Sequence, residues 1–219
     1  PGVDTIEGHG ALAGPQEVVV RDSRYSAEKI LLATGTWPAM PEIPGIELAL
    51  TSNDIFDVEY FPERLLIVGG GYIATEFANI FSGLGASVVQ SYRGELFLRG
   101  FDHDIRQFLG EEMRKAGVDL RFNHHVTALE SQTSGVLAHL SDGNEHFDAV
   151  LYATGRRPNI AQLGLDHTGV TLTKAGYIEV DDAFQTAEPS IYAQGGAADP
   201  GKASSSAEPP PRYLDADYV

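Results

Sequence analysis

Three consecutive glycines, followed by Tyr72, Ile73 and Ala74, carry the clearest chemical signal in the chain. The spacing from Gly69 to Ala74 fits G-x-G-x-x-A, the pattern in which a strand turns sharply into a helix beneath a dinucleotide. The first glycine permits the tight turn, the second lets the backbone approach a pyrophosphate, and the small third residue lets helix and strand pack closely. The helix N-terminus then offers N–H groups and partial positive charge to the phosphates. An ordinary glycine turn has the same letters, so the prediction depends on a strand before this motif and a helix after it. The candidate cofactor-binding residues here are Gly69, Gly71, Tyr72, Ile73 and Ala74.

Two arginines follow at the position where such a site selects its cofactor. An NAD site calls for a carboxylate at the end of the second strand, about 20 residues after the glycines, to bind the ribose hydroxyls. That position falls at Ser91 and Tyr92, and Arg93 and Arg99 come next instead of an acid. Guanidinium groups bind a 2′-phosphate through paired hydrogen bonds, which predicts NADPH as the cofactor. The alternative is that both are solvated surface arginines, and Glu95 between them counts mildly against a phosphate site.

The elements around these residues alternate as in a doubly wound α/β fold. Residues 65–68 form a continuous apolar run, typical of a strand buried on both faces of a parallel sheet. Residues 72 to about 84 are predicted to be helical, and residues 87–91 form the second strand. The expected buried face of this helix comprises Ile73, Phe77, Ile80, Phe81 and Leu84.

A second helix and third strand complete the alternating pattern. The helix is predicted after Phe101, with Asp102 as its N-cap and Ile105, Leu109 and Met113 one turn apart. Residues 118–122 form the next strand. This order of strand, helix, strand, helix, strand predicts a doubly wound, Rossmann-like parallel sheet.

The remaining segments are predicted to be β-strands. Residues 125–148 are predicted to be a small antiparallel insertion with a turn at 141–144, and residues 149–153 return as a buried strand. Residues 17–21 and 29–35 are earlier strands.

Composition narrows the possible partners. Acidic residues outnumber basic ones 31 to 15, a net charge of −16, so nucleic acids and anionic membranes are poor partners, and a small dinucleotide is expected instead. The chain contains no cysteine, which excludes disulfides and thiolate metal sites within it. No apolar run approaches the roughly 20 residues of a membrane-spanning helix, and no secretory signal is visible, so a cytoplasmic protein is expected. The start at Pro rather than Met predicts that the chain begins inside a longer protein.

Several motifs occur in the order found in glutathione reductases, which are class I pyridine nucleotide-disulfide oxidoreductases. Residues 69–78 and 92–102 resemble the NADPH domain of that family. Residues 33–45 resemble the segment that leaves its FAD domain, residues 153–159 the motif that leads back, and residues 191–193 the strand before the second FAD contact. The resemblance implies the NADPH-binding part of a flavin-dependent disulfide reductase, joined to β-rich pieces of a split FAD domain.

The resemblance also implies roles for individual residues. Tyr72 would cover the nicotinamide pocket and swing aside for NADPH, and Glu76 would help orient the nicotinamide. Both are supporting residues, and no catalytic residue is assigned. Gly155 would lie against the nicotinamide half of the cofactor, and Thr34 and Gly35 would touch FAD. The alternatives without a role in cofactor binding are that Tyr72 is an aromatic packed in the core at the helix start and that Glu76 is a solvated carboxylate on the helix.

The chain also departs from the family. The family has Gly-Asp where this chain has Gly195 and Gly196, so the aspartate that binds the FAD ribityl chain is missing and FAD retention is expected to be poor. The redox cysteines and the His-Glu acid–base pair are absent, as is the domain that forms the family's homodimer interface. His124 and His125 are not expected to form a metal site, because zinc requires three or four converging ligands.

Three alternatives therefore stay open. The first is a related flavoprotein such as a lipoamide dehydrogenase or mercuric reductase. The second is a non-catalytic nucleotide-binding module, and the third is a fragment or misread gene product. Whether the chain is an enzyme by itself is left open.

The expected domain organisation follows from these motifs. Residues 1–45 would be partial FAD-domain strands, 46–62 a crossing segment, and 63–160 the NAD(P)-binding domain. Residues 161–198 would return to the FAD domain, and 199–219 would be a disordered tail.

Overall fold

A computed structural model describes residues 2–199, which divide into two compact units. The continuous unit contains residues 38–156, and the discontinuous unit contains residues 2–37 and 157–199. The elements in chain order are β1 (Gly10–Gly14), β2 (Glu17–Val20), β3 (Ser23–Ser26), β4 (Ile30–Leu32), β5 (Thr36–Pro38), β6 (Arg64–Val68), α1 (Tyr72–Gly83), β7 (Ser87–Tyr92), α2 (His103–Lys115), β8 (Asp119–Phe122), β9 (Val126–Ser131), β10 (Val136–Leu140), β11 (Gly143–Phe147), β12 (Ala149–Tyr152), β13 (Arg156–Pro158) and β14 (Ile191–Ala193).

The continuous unit is built on a four-stranded parallel sheet in the order β12-β6-β7-β8. Side chains of β6 alternate between its faces: Leu65 and Ile67 join the core that contains α1 and α2, and Leu66 and Val68 join the core of the antiparallel strands. The apolar run predicted at residues 65–68 is thus a strand buried on both faces. This mixed α/β architecture confirms the predicted fold class.

Helix α1 begins at Tyr72 as predicted and ends one residue earlier than expected. Its buried residues are Ala74, Thr75, Phe77, Ala78 and Phe81. The placement of Ile80 and Leu84 on the buried face was wrong, because their exposures are 50% and 66%. The two small alanines bring the helix close to the sheet, so the buried stripe is narrow and the flanking apolar residues face outward.

Helix α2 confirms its predicted N-cap. The Asp102 carboxylate accepts hydrogen bonds from the backbone N–H groups of Asp104 and Ile105. Met113 is buried as predicted, but Ile105 is 58% exposed, which corrects its placement on the inner face.

Strands β9, β10 and β11 form the predicted antiparallel insertion in the order β11-β10-β9. Leu140 pairs with Gly143, so the β10–β11 turn is the two-residue Ser141-Asp142 rather than the four residues 141–144.

The discontinuous unit contains the antiparallel sheet β1-β2-β3 and the parallel pair β4 and β14. Leu12, Ile30, Ile178 and Ile191 lie in its core. The domain bounds given above stay predictions, and nearly all of the tail predicted for 199–219 lies outside the described residues. None of the helices formed by residues 2–199 has both the length and the apolar character to span a bilayer.

Candidate functional site

The glycine turn uses its three glycines in three different ways. Gly69 has a φ of 146°, and a Cβ on it would lie 2.3 Å from the carbonyl oxygen of Ala153. A Cβ on Gly70 would lie 2.3 Å from the ring of Tyr92. Gly71 has an ordinary φ of −87°, and a Cβ on it would meet nothing within 4 Å. The first two glycines are therefore required by packing, and the third faces open space.

Gly71 is also the N-cap of α1. It makes no side-chain cap hydrogen bond, and the first turn of α1 contains no acidic residue. The leading N–H groups of a helix have no partner within that helix, and they carry its partial positive charge. An anion lying on the open side of Gly71 would meet these N–H groups without a carboxylate competing for them.

Buried polar groups hold this turn in place. The Gln90 side chain has no exposed surface, and its Nε2 donates to the Gly69 carbonyl oxygen at 3.0 Å. Thr75 Oγ1 donates to the Gly71 carbonyl oxygen at 3.1 Å. The first bond joins the turn to β7 and the second lies within the start of α1, and together they fix the backbone that faces the open space.

Three strand ends converge at this place. In the parallel register Tyr152 pairs with Val68, and Val68 pairs with Ser91. From β6 the chain passes through α1 to β7 on one side, while β12 lies on the other side. Ligands of open parallel sheets bind at such a switch point, outside the carboxyl ends of the strands. Gly155, three residues after Tyr152, is thereby brought to the same edge as the glycine turn.

The segment after β7 carries Arg93 and Arg99, and both side chains are exposed. The Leu98 N–H donates to the Gly70 carbonyl oxygen at 2.6 Å, which ties this segment to the glycine turn. Arg106 on α2 donates from Nε to the Phe97 carbonyl oxygen at 2.7 Å. The structure therefore places both predicted phosphate ligands on a braced segment beside the turn.

The remaining predicted residues of the continuous unit differ in exposure. Tyr72 is 44% exposed and Glu76 is exposed, while Ile73 is half-buried and Ala74 is fully buried. Ala74 lies where the pattern requires a small residue, since its Cβ is 3.3 Å from the Cβ position of Gly69. Tyr72 and Glu76 project from the first two turns of α1 and are accessible to a ligand.

The discontinuous unit holds the two predicted FAD contacts. Thr34 Oγ1 is buried without a hydrogen-bond partner, and Gly35 has a φ of 70° with open space beside it. An unpartnered buried hydroxyl fits a ligand contact. Gly196 fits less well: a Cβ there would lie 2.5 Å from Thr36 Cγ2, so a side chain at this position would displace Thr36.

Sequence reasoning missed a second polar group at the end of β7. Ser91 Oγ lies 2.8 Å from His124 Nδ1, and His124 Nε2 lies 2.8 Å from Asp142 Oδ1. The hydrogen bond from His124 holds the pKa of the Asp142 carboxyl below its ordinary value. The available signal was two polar residues, Gln90 and Ser91, at the end of a strand predicted to belong to the parallel sheet.

An open groove of about 770 Å³ lies elsewhere in the continuous unit, between the segment 48–63 and residues near the start of β12. Its lining includes five carboxylates, which disfavour a pyrophosphate, and none of the predicted cofactor residues. Within residues 2–199 no three His, Asp or Glu side chains converge as metal ligands would. The groove and the glycine turn are therefore separate features.

Comparisons with known proteins give a consistent result. Residues 1–209 match the family described as pyridine nucleotide-disulphide oxidoreductase. The sequence is 46% identical over 194 residues to a glutathione reductase of Burkholderia cepacia, covering 88% of this chain and 43% of that protein. The HOCl-induced flavoprotein disulfide reductase RclA from Escherichia coli superposes with a TM-score of 0.85 at 31% identity, over 90% of this chain and 46% of RclA. An engineered water-forming NADPH oxidase, solved bound to NADPH, gives a TM-score of 0.76 at 25% identity, over 86% and 44% of the two chains. The chain thus spans less than half the length of each of these three proteins.

Proposed function

Because the chain belongs to the pyridine nucleotide-disulphide oxidoreductase family of flavoprotein disulfide reductases, we propose that its continuous unit is the NADPH-binding portion of such a reductase. The pyrophosphate would lie across Gly69–Gly71, and the 2′-phosphate would lie between Arg93 and Arg99. The nicotinamide half would extend past Tyr72, Glu76 and Gly155. We assign no disulfide substrate to this unit, because the chain has no cysteines that could reduce a disulfide.

The observation that carries the proposal is the open, uncapped helix start at Gly71 beside two exposed arginines. A dinucleotide needs N–H donors for its pyrophosphate, and α1 supplies them. Its 2′-phosphate is dianionic, and guanidinium groups bind it bidentately. In a chain with a net charge of −16 such an anion site must be local, and both features occur at one sheet edge.

When bound, NADPH supplies the hydride that a flavin accepts in this family, and the protein's part is to bind and orient it. The residues of the continuous unit would fix the two phosphate groups, while Tyr72 would exclude water from the nicotinamide pocket. Glu76 would accept a hydrogen bond and set the orientation of the ring.

The fit for FAD is incomplete. The unpartnered hydroxyl of Thr34 and the open space beside Gly35 would suit contacts to FAD, but Gly196 provides no carboxylate for the ribityl chain. We therefore expect poor flavin retention.

The NADPH site can be tested with a pair of glycine substitutions. Gly71→Leu fills the open space with a side chain that the backbone accepts, so we expect a folded protein that no longer binds NADPH. Gly83→Leu is the matched control: Gly83 is also open and lies at the far end of the same helix, so NADPH binding should be unchanged. Isothermal titration measures the Kd, and thermal unfolding checks the fold. Normal NADPH affinity in folded Gly71→Leu would refute the site.

The arginines are tested separately through cofactor selectivity. Wild-type protein should bind NADPH more tightly than NADH, and Arg93→Ala should weaken NADPH binding by about tenfold or more while leaving NADH nearly unchanged. Equal affinity of the wild type for both cofactors would refute the assignment of Arg93 and Arg99 to the 2′-phosphate.

A second candidate function is favoured by Gly196. A nucleotide-binding module without flavin would need neither that carboxylate nor cysteines. Because poor flavin retention is expected of the reductase portion as well, the two are separated by adding FAD and following its fluorescence. Binding of added FAD supports the reductase portion, and NADPH binding without affinity for FAD supports the module.

A further inference from the structure

Three polar side chains form a hydrogen-bonded chain beside the segment that carries Arg93. Ser91 Oγ lies 2.8 Å from His124 Nδ1, and His124 Nε2 donates to Asp142 Oδ1 at 2.8 Å. Ser91 has no exposed surface and His124 is 5% exposed, whereas the Asp142 side chain is 60% exposed. The Ser91 hydroxyl and the His124 ring are therefore removed from water, and the hydrogen bonds between these side chains replace the bonds to water that both have lost.

The residue types are those of a serine hydrolase triad, but the burial excludes that chemistry. A nucleophilic serine must reach the carbonyl carbon of a substrate. Ser91 lies within β7 between two neighbouring strands and has no surface to present. These hydrogen bonds therefore have a structural role rather than a catalytic one.

These bonds act on the backbone around Arg93. The His124 N–H donates to the Tyr92 carbonyl oxygen at 3.0 Å, and the Asn123 N–H donates to the Gly94 carbonyl oxygen at 2.9 Å. The His124 side chain adds the bond to Ser91. His124 thus holds the two residues before Arg93, and Asn123 holds the residue after it.

The bonds are complete in either protonation state of His124. A neutral ring accepts from the Ser91 hydroxyl at Nδ1 and donates from Nε2 to Asp142. A charged ring donates from Nδ1 to Ser91 Oγ, and the hydroxyl then donates to the His124 carbonyl oxygen, 3.1 Å away. Either way Asp142 fixes the plane of the ring, and the ring fixes the end of β7.

We propose that His124 is a positioning residue for the 2′-phosphate site: it holds the end of β7, with its ring fixed by Asp142, and so sets the direction in which Arg93 leaves the sheet. This inference rests on the proposed function, and it adds a residue that makes the site select NADPH over NADH. A bidentate guanidinium–phosphate contact is directional, so a loosened backbone at Arg93 weakens it without affecting the pyrophosphate at Gly71.

The test compares NADPH and NADH affinities in four proteins. His124→Phe keeps a ring of similar size and removes both side-chain hydrogen bonds. The ratio of the NADH Kd to the NADPH Kd should then fall by about tenfold, which corresponds to the loss of one hydrogen bond between Arg93 and the 2′-phosphate. His124→Asn retains an amide near the Nδ1 position that can bond Ser91, and should restore part of the ratio. His139→Phe is the control, because His139 Nε2 also lies 2.9 Å from a carboxylate oxygen, that of Glu130, but in the antiparallel sheet and without hydrogen-bond geometry. The ratio should be unchanged in that variant.

Each result decides the matter. A wild-type ratio near one overturns both the phosphate site and this inference. A wild-type preference for NADPH that survives in His124→Phe overturns the inference alone, and so does an equal loss of both affinities, which a merely structural role would give. If His124→Phe does not fold, Ser91→Ala removes the same bond to β7 with a smaller change and must lower the ratio.

Discussion

At the scale of single residues, the same residue type serves different physical purposes within three positions. Gly69 is required by a positive φ and by the carbonyl oxygen of Ala153, so any side chain there strains the turn. Gly71 is required by neither, and its value is the empty space beside it. The sequence pattern predicted both glycines, but only the packing separates the one that shapes the turn from the one that leaves room for a ligand.

Asp142 gives a prediction at this scale about pH. Its pKa is lowered chiefly by the hydrogen bond from His124, so in His124→Phe the pKa should rise toward its ordinary value. Because the folded-state pKa is below the unfolded value of about 3.9, the bond stabilises the fold above that pH. This contribution is lost as pH falls through the folded-state pKa.

Carboxyl-carbon NMR titration of both proteins measures this shift. Asp54 serves as an internal control, since its pKa is lowered by hydrogen bonds from Thr51 and should be the same in both. An unchanged Asp142 titration in His124→Phe would contradict the hydrogen-bond assignment.

At the scale of elements, α2 braces the arginine segment. Its N-cap follows that segment directly, and Arg106 in its first turns donates to the carbonyl oxygens of Leu96 and Phe97. The position of the predicted phosphate ligands therefore depends on a helix that contributes no ligand itself.

Asp102→Ala tests how much the N-cap stabilises this helix. Loss of the cap leaves two N–H groups without their acceptor and should lower the free energy of unfolding by about 1 kcal/mol. Urea denaturation followed by circular dichroism measures the change. Asp104→Ala is the control, because Asp104 is an almost fully exposed carboxylate in the same turn and should cost less. Equal losses in the two variants would show that helix-dipole charge, not capping, is responsible.

At the scale of the whole molecule, the chain has two units with separate hydrophobic cores. The continuous unit contains two core clusters, and both are made only of residues between 38 and 156. It also carries all the predicted NADPH contacts. The family assignment and the fold class were both confirmed. That the continuous unit binds NADPH stays a proposal.

Residues 38–156 expressed alone should therefore fold and bind NADPH with the Kd of the full chain. The physical reason is that excision removes no member of either core. Cooperative thermal unfolding and NADPH titration check this, and the Gly71→Leu substitution in the fragment should abolish binding. A non-cooperative melt, or a much weaker Kd, would show that the discontinuous unit contributes.

The sequence by itself determined the features that depend on local chain properties. The strand-turn-helix at Gly69, the N-cap at Asp102 and the antiparallel insertion were predicted because glycine, capping and alternation signals act over a few residues. It also determined the family, since the motifs occur in order along the chain. Which apolar residues of α1 face outward could not be read from spacing, and Ile80 and Leu84 were misplaced.

Tertiary structure alone decided which residues meet across long separations. Ser91, His124 and Asp142 are separated by 33 and 18 residues, and no local signal joins them. They meet because β8 pairs with β7 and because the β10–β11 turn lies against the connection that follows β8. Contacts of this kind are fixed by sheet register and packing, which are properties of the folded chain rather than of any segment of it.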